Sequence, residues 1–197
     1  RAVAWRPYQA LQPDSATLTF GPLEPLARRL TLHVPAVTVV EPAAASFKVL
    51  VPDGLTLALD PTGPPWRVSE PWPVEIDVNV AEYRLRFSEA RLEDLNGTTL
   101  LALTSEPYRE SHSWRWLSGV RIAMVTTPSG REVSLETAHS AAGPETEGST
   151  NRRLWLAFDV KDPQTLAVEP GPYQVILDGA SIIVQGPWDL SWALSAP

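Results

Sequence analysis

Cysteine is absent from the 197 residues. That excludes disulfides, thiolate metal sites and cysteine nucleophiles together. Histidine is scarce: His33, His112 and His139 are scattered, with no H-x-H or H-E-x-x-H spacing, so no transition-metal site is expected. No apolar run approaches the roughly 18 residues that span a bilayer. Arg1 is not followed by a basic-then-apolar leader. A chain that opens on Arg rather than Met reads as a processed or excised piece, so a missing leader or anchor is uninformative about its parent. Also missing are G-x-S-x-G, a phosphate-binding loop, a dinucleotide fingerprint and the D-x-[DN]-x-[DN]-G calcium loop. Neither a cofactor nor a metal is expected.

Proline, by contrast, is abundant: twenty residues beside eleven glycines. It is excluded from central strands and helix interiors, so this many implies frequent loops and edge positions. Hydrophobic residues make up 44%, enough for a substantial core. The net charge is −7. Residues 1–70 hold six basic and six acidic side chains, so the remaining ten basic and seventeen acidic carry the whole excess. An acidic chain without a basic stripe is a poor partner for nucleic acid.

Two-residue alternation dominates the chain. Tyr83, Leu85 and Phe87 alternate with Arg84, Arg86 and Ser88, and Asn96-Gly97 supplies a two-residue hairpin turn before Thr98 to Thr104. Val74, Ile76, Val78 and Val80 share a face, and the apolar parity changes at Ala81, which reads as a bulge or a strand crossing between sheets. Further strands are expected at 3–8, 16–20, 30–34, 37–40, 47–51, 55–59, 120–125, 133–135, 154–158, 173–177, 181–184 and 189–194. Residues 138–151 read as an exposed mobile loop, and Asp178-Gly179 as a turn. The Asp60-Pro-Thr-Gly-Pro-Pro65 cluster marks a boundary between an N-terminal β-sandwich, 1–65, and a C-terminal one, 66–197. The fold class is therefore all-β: one or two immunoglobulin-like antiparallel β-sandwiches, essentially without long helix.

Residues 30–52 echo residues 175–197: strand, Pro or Gly break, strand, x-Pro turn, then a strand with a central aromatic, Phe47 over Trp192. The first copy is short of opening strands, which implies either excision or a strand supplied by a neighbour. The segment Leu18-Thr-Phe-Gly-Pro-Leu-Glu-Pro-Leu-Ala-Arg-Arg-Leu-Thr-Leu-His-Val-Pro35 and the closing Gly186-Pro-Trp-Asp-Leu-Ser-Trp192 resemble exported immunoglobulin-like β-sandwich modules of bacteria. These include the ectodomains of membrane-tethered anti-sigma-factor-like proteins. The resemblance implies a non-enzymatic, extracellular or cell-surface module, reaching a membrane only through a tether absent from this chain. It transfers no functional residue.

Most residues with chemical potential have structural explanations. His33 sits on a strand. Glu93 and Asp94 read as solvated acids flanking the Asn96-Gly97 turn, and Trp155, Trp188 and Trp192 as core. One stretch has binding character: Tyr108, Arg109, His112, Trp114, Arg115 and Trp116, rich in the residue types of interface hot spots. Its aromatics could equally cap a core end. The expected function is a structural or sensory interaction ectodomain. A self-assembling surface or filament subunit, completed by strand donation through edge strands or the Arg1–Ala10 arm, is the alternative. A carbohydrate-binding module using the Tyr108–Trp116 aromatics is the third reading.

Overall fold

The computed structural model describes residues 29–60, 67–95, 97–109, 114–136, 138–144, 151–161 and 167–193. The strands expected at 3–8 and 16–20, and the Arg1–Ala10 arm, lie outside them. Among the described residues there is no helix and there are eleven strands. They are β1 (Arg29–Val51), β2 (Ala58–Leu59), β3 (Arg67–Val68), β4 (Trp72–Val80), β5 (Tyr83–Leu95), β6 (Thr98–Ser105), β7 (Tyr108–Arg109), β8 (Arg115–Thr126), β9 (His139–Pro144), β10 (Asn151–Asp159) and β11 (Gly171–Ala193). The chain divides into two compact units: Ala36–Gly186, and a smaller one whose described residues are 29–35 and 187–193.

Within the larger unit two sheets face one core. The smaller sheet has the order β1-β11-β8; the larger runs β2-β3-β5-β6-β10-β7, with β4 also on β5 and β9 on β10. The pairings of the larger sheet and the β8–β11 pairing are antiparallel. So is β1 with β11: Gln174 Nε2 donates to the Phe47 carbonyl at 3.1 Å, while Gly179 lies against Val40 and Glu41, one number rising as the other falls. Alternation explains which side chains point inward. Val49, Leu117, Val175, Leu85, Leu101 and Leu156 are at most 1% exposed and come from both sheets. Each such side chain contributes about 1.5–3 kcal/mol through burial. Phe47 and Phe87 meet across the sheets with ring centroids 5.7 Å apart. The Tyr173 hydroxyl donates to the Val160 carbonyl at 3.0 Å, satisfying a fully buried phenol.

The turns follow the chain's local chemistry. Leu95 pairs with Thr98 around Asn96-Gly97, and Gly97 has a φ of 90°. That is the positive φ a two-residue hairpin needs. Asp94 Oδ1 accepts from the Gly97 amide at 2.9 Å, a solvated turn acid as expected. Glu93 differs: its side chain is 3% exposed, and its carboxylate accepts from Arg91 Nε at 2.6 Å.

At Ala81 the change of parity is neither a bulge nor a crossing. Val80 pairs with Tyr83, so Ala81-Glu82 is itself a tight turn, and Ala81 takes a φ of 52°. An alanine pays conformational strain there that glycine would not.

The expected breaks in β1 and β11 are absent. β1 runs unbroken through Pro35 and Pro42, and β11 through Asp178-Gly179 and Gly186-Pro187. Among the described residues β1 flanks only β11, and proline is tolerated where one strand side needs no donor. Asp178-Gly179 is a bulge, with register shifts between Ile176 and Leu177 and between Leu177 and Gly179. The segment expected as a mobile loop holds β9, six residues antiparallel to β10. Of 55–59 only Ala58–Leu59 forms a strand, and 133–135 forms none; the isolated bridge of Thr126 to Glu132 falls just before it.

β9 also meets β8 across a tight approach. Ser140 Oγ donates to the Val120 carbonyl at 2.6 Å and accepts from the Val120 amide at 2.7 Å. One hydroxyl thus satisfies both ladder groups of a β8 residue. A Cβ on Gly119 would lie 2.7 Å from that Oγ, so only glycine permits the approach.

Candidate interaction site

Five of the six sequence-selected residues can be placed; His112 lies outside the described residues. Tyr108 and Arg109 form β7, held to β10 by pairing with Arg152 and Asn151. Trp114, Arg115 and Trp116 sit at the start of β8, where Trp116 pairs with Ile183 and Arg115 with Val184 of β11. The Trp114 carbonyl accepts from the Gln185 amide at 2.7 Å, fixing the backbone just before the strand.

The side chains divide by role. Tyr108 is 9% exposed; its hydroxyl donates to the Leu117 carbonyl at 3.2 Å, and its ring meets Tyr83 edge-on at 5.9 Å. Burial pushes its phenol well above the usual tyrosine range; Arg152 pulls the other way and Tyr83 adds to the rise. Arg115 Nη2 donates to Glu41 Oε1 at 2.6 Å, and its Nε stands 3.6 Å from Glu82 Oε1, an ion-pair distance beyond hydrogen bonding. The Arg152 guanidinium lies 4.8 Å above the Trp116 ring, a cation–π contact that fixes the indole. Tyr108, Arg115 and Trp116 are therefore scaffold. Trp114 is 50% exposed, and Arg109 is exposed as well.

Beside β7 opens a cleft of about 530 Å³ bounded by Tyr83, Tyr108 and Pro107 and by six charged residues. These are Asp77, Glu82, Glu106, Arg84, Arg86 and Arg109. Two pairs are loose and wet: Arg84 to Asp77 at 3.4 Å and Arg86 to Glu106 at 3.5 Å. Such pairs contribute about 0–1 kcal/mol and yield readily to an incoming charged group. Chemically the cleft offers a rim of mixed charge over two largely buried tyrosines, suited to a polar peptide surface.

Glu41, Glu82 and Arg152 escape a sequence reading because they come from β1, the β4–β5 turn and β10. The signal that finds them is strand register.

The remaining histidines are elsewhere. His139 packs against Trp155 with ring centroids 4.4 Å apart and the rings tilted by 57°, and His33 Nδ1 lies 2.7 Å from Asp189 Oδ1. Among the described residues no three His, Asp or Glu converge as a metal-binding group. Trp188 and Trp192, expected as core, are 38% and 47% exposed, because β11 outruns its pairing with β8 at Val184.

Comparison with known proteins finds no matching family model, no matching curated protein and no matching solved structure.

Proposed function

We propose that the chain is a non-catalytic recognition module that engages a protein partner through Trp114, Arg109 and the adjoining cleft. One observation carries this reading: Trp114, half exposed, projects from a strand start whose neighbours are immobilised. A large aromatic on a rigid base loses little freedom on binding, which is the physical basis of a hot spot.

The finer architecture, an immunoglobulin-like sandwich, belongs to the same proposal. Its support is the chain path: β4, β5 and β6 form a meander, β8 and β11 pair in the opposite sheet, and β9 and β10 lie between them in sequence but join the first. Such crossings are characteristic of Greek-key sandwiches. Placement at the bacterial cell surface, as a structural or sensory ectodomain, is part of the same proposal and rests on the sequence resemblance read in Leu18–Pro35 and Gly186–Trp192 alone.

Selection of displayed peptides on the whole chain tests the reading. Binders should lose at least about ten-fold in affinity for Trp114→Ala and Arg109→Glu, as a hot-spot loss of about 1.4 kcal/mol or more requires. They should be indifferent to Leu59→Ala, an exposed apolar control. Binders insensitive to both site variants would remove this surface. Glycan-array binding abolished by Trp114→Ala would instead assign the surface to carbohydrate.

A further inference from the structure

The smaller unit's described residues form a two-stranded ribbon, 29–35 of β1 beside 187–193 of β11. Its polar face is held by two side-chain contacts: Thr31 Oγ1 to Ser191 Oγ at 2.9 Å and His33 Nδ1 to Asp189 Oδ1 at 2.7 Å. Alternation places Leu30, Leu32, Val34, Trp188, Leu190 and Trp192 on the other face. Trp188, Leu190 and Trp192 are 38%, 49% and 47% exposed. A ribbon of two strands is marginal without a third strand or a covering layer. Among the described residues, the side of β11 away from β1 has no ladder partner from 187 to 193.

We propose that this edge is completed by a second copy of the chain, the two β11 segments pairing antiparallel about a two-fold axis at Leu190. The sequence Pro187-Trp-Asp-Leu-Ser-Trp-Ala193 is self-complementary in that register. Trp188 of each copy stands opposite Trp192 of the other, Leu190 opposite Leu190, and Asp189 opposite Ser191. Aromatic and aliphatic cross-strand pairs are the favourable ones, and like charges directly opposite are the unfavourable ones. A register centred on Asp189 would set two carboxylates face to face. A one-residue slip would bring the indoles to the polar side.

Charge favours the same occupant. The ribbon residues carry one arginine, Arg29, and one carboxylate, Asp189, whereas the whole chain carries −7. The repulsion between copies therefore arises away from the contact and is of a kind that salt screens. The three exposed side chains offer on the order of 300 Å² per copy, about 600 Å² for the pair. That falls short of the ~1,000 Å² total of a stable interface, so the pairing is a reversible dimer with a dissociation constant of roughly tens to hundreds of micromolar. The proposal uses a different surface from Trp114, so either can fail alone.

Sedimentation of the whole chain from about 5 to about 500 µM gives the first readout. The expected result is a monomer–dimer equilibrium that strengthens between about 50 and about 500 mM salt. Leu190→Lys, which sets two ammonium groups on the axis, should weaken it at least about ten-fold. Trp114→Ala should leave it unchanged. The cysteine-free chain permits a second readout that does not depend on Leu190→Lys folding. Under mild oxidation Leu190→Cys should cross-link into dimers much faster than Leu59→Cys, since residues opposite across strands bring Cβ atoms within disulfide reach. A monomer at every concentration, a dimer indifferent to Leu190→Lys, or equal cross-linking at 190 and 59 would each overturn the proposal.

Discussion

Tyr108 places a phenol in an apolar setting and donates a hydrogen bond to the Leu117 carbonyl. Tyr108→Phe should destabilise the fold by about 1 kcal/mol, the net worth of one hydrogen bond. The pH dependence is the sharper test. Because burial raises the folded-state value of this acid, the folded chain holds its proton more tightly than the unfolded one. The contribution is fully present below the unfolded value of about 10 and is lost as pH rises from there towards the folded value. The denaturant midpoint of the native chain should therefore fall above about pH 10. Tyr108→Phe should show a shallower fall. Equal slopes for the two proteins would contradict the assigned burial effect. Exposed Arg121 is raised as well, for a different reason: hydrogen bonding to and attraction from Asp178 hold its proton more firmly.

At the scale of elements, the β8–β9 approach makes a paired prediction. Gly119→Ala inserts a Cβ where Ser140 Oγ sits and should cost about 1–3 kcal/mol. Ser140→Ala leaves both Val120 ladder groups without that hydroxyl and should cost a similar amount. In the double variant the new methyl meets no hydroxyl, so the losses should be less than additive in denaturant melts. Strict additivity would show that the two residues do not touch.

The elements also show how far a sequence reading reaches. Alternation from Val74 to Val80 and from Tyr83 to Phe87 marks two strands, and Asn96-Gly97 marks a hairpin, because these signals are local. The 23-residue lengths of β1 and β11 escape it because proline reads as a stop when the strand's neighbours are unknown. Pro35 and Pro42 lie in a strand flanked only by β11, and Pro187 lies past the last β8 pair, so none is enclosed by partners on both sides among the described residues. Ala81 misleads for a related reason: positive φ at alanine is rare enough that a turn there carries no compositional mark. In the candidate site the aromatic character of Trp114 was legible, but the acids and cation that brace its neighbours were not, since they lie far away in sequence.

The molecule as a whole is built from distant pairings. Thr31 meets Ser191 at a separation of 160 residues, whereas β5 and β6 are joined by a two-residue turn. Chains dominated by non-local pairing fold slowly, because the closure entropy precedes the contacts that offset it. We expect the β4–β5–β6 meander to form early and the β1–β11 pairing late. Leu101→Ala should accordingly slow refolding, and Val49→Ala should mainly speed unfolding, when both are followed by stopped-flow fluorescence. The opposite pattern would place the nucleus at the β1–β11 pair.

The same first-to-last pairing has a consequence during synthesis. At about 5–20 residues per second, β1 emerges from the ribosome on the order of ten seconds before β11 exists to receive it. For that interval Phe47, Val49 and Val51 belong to a nascent strand with no sheet to join. Translation speed and chaperone cover, rather than equilibrium stability, should then set the yield of correctly closed protein.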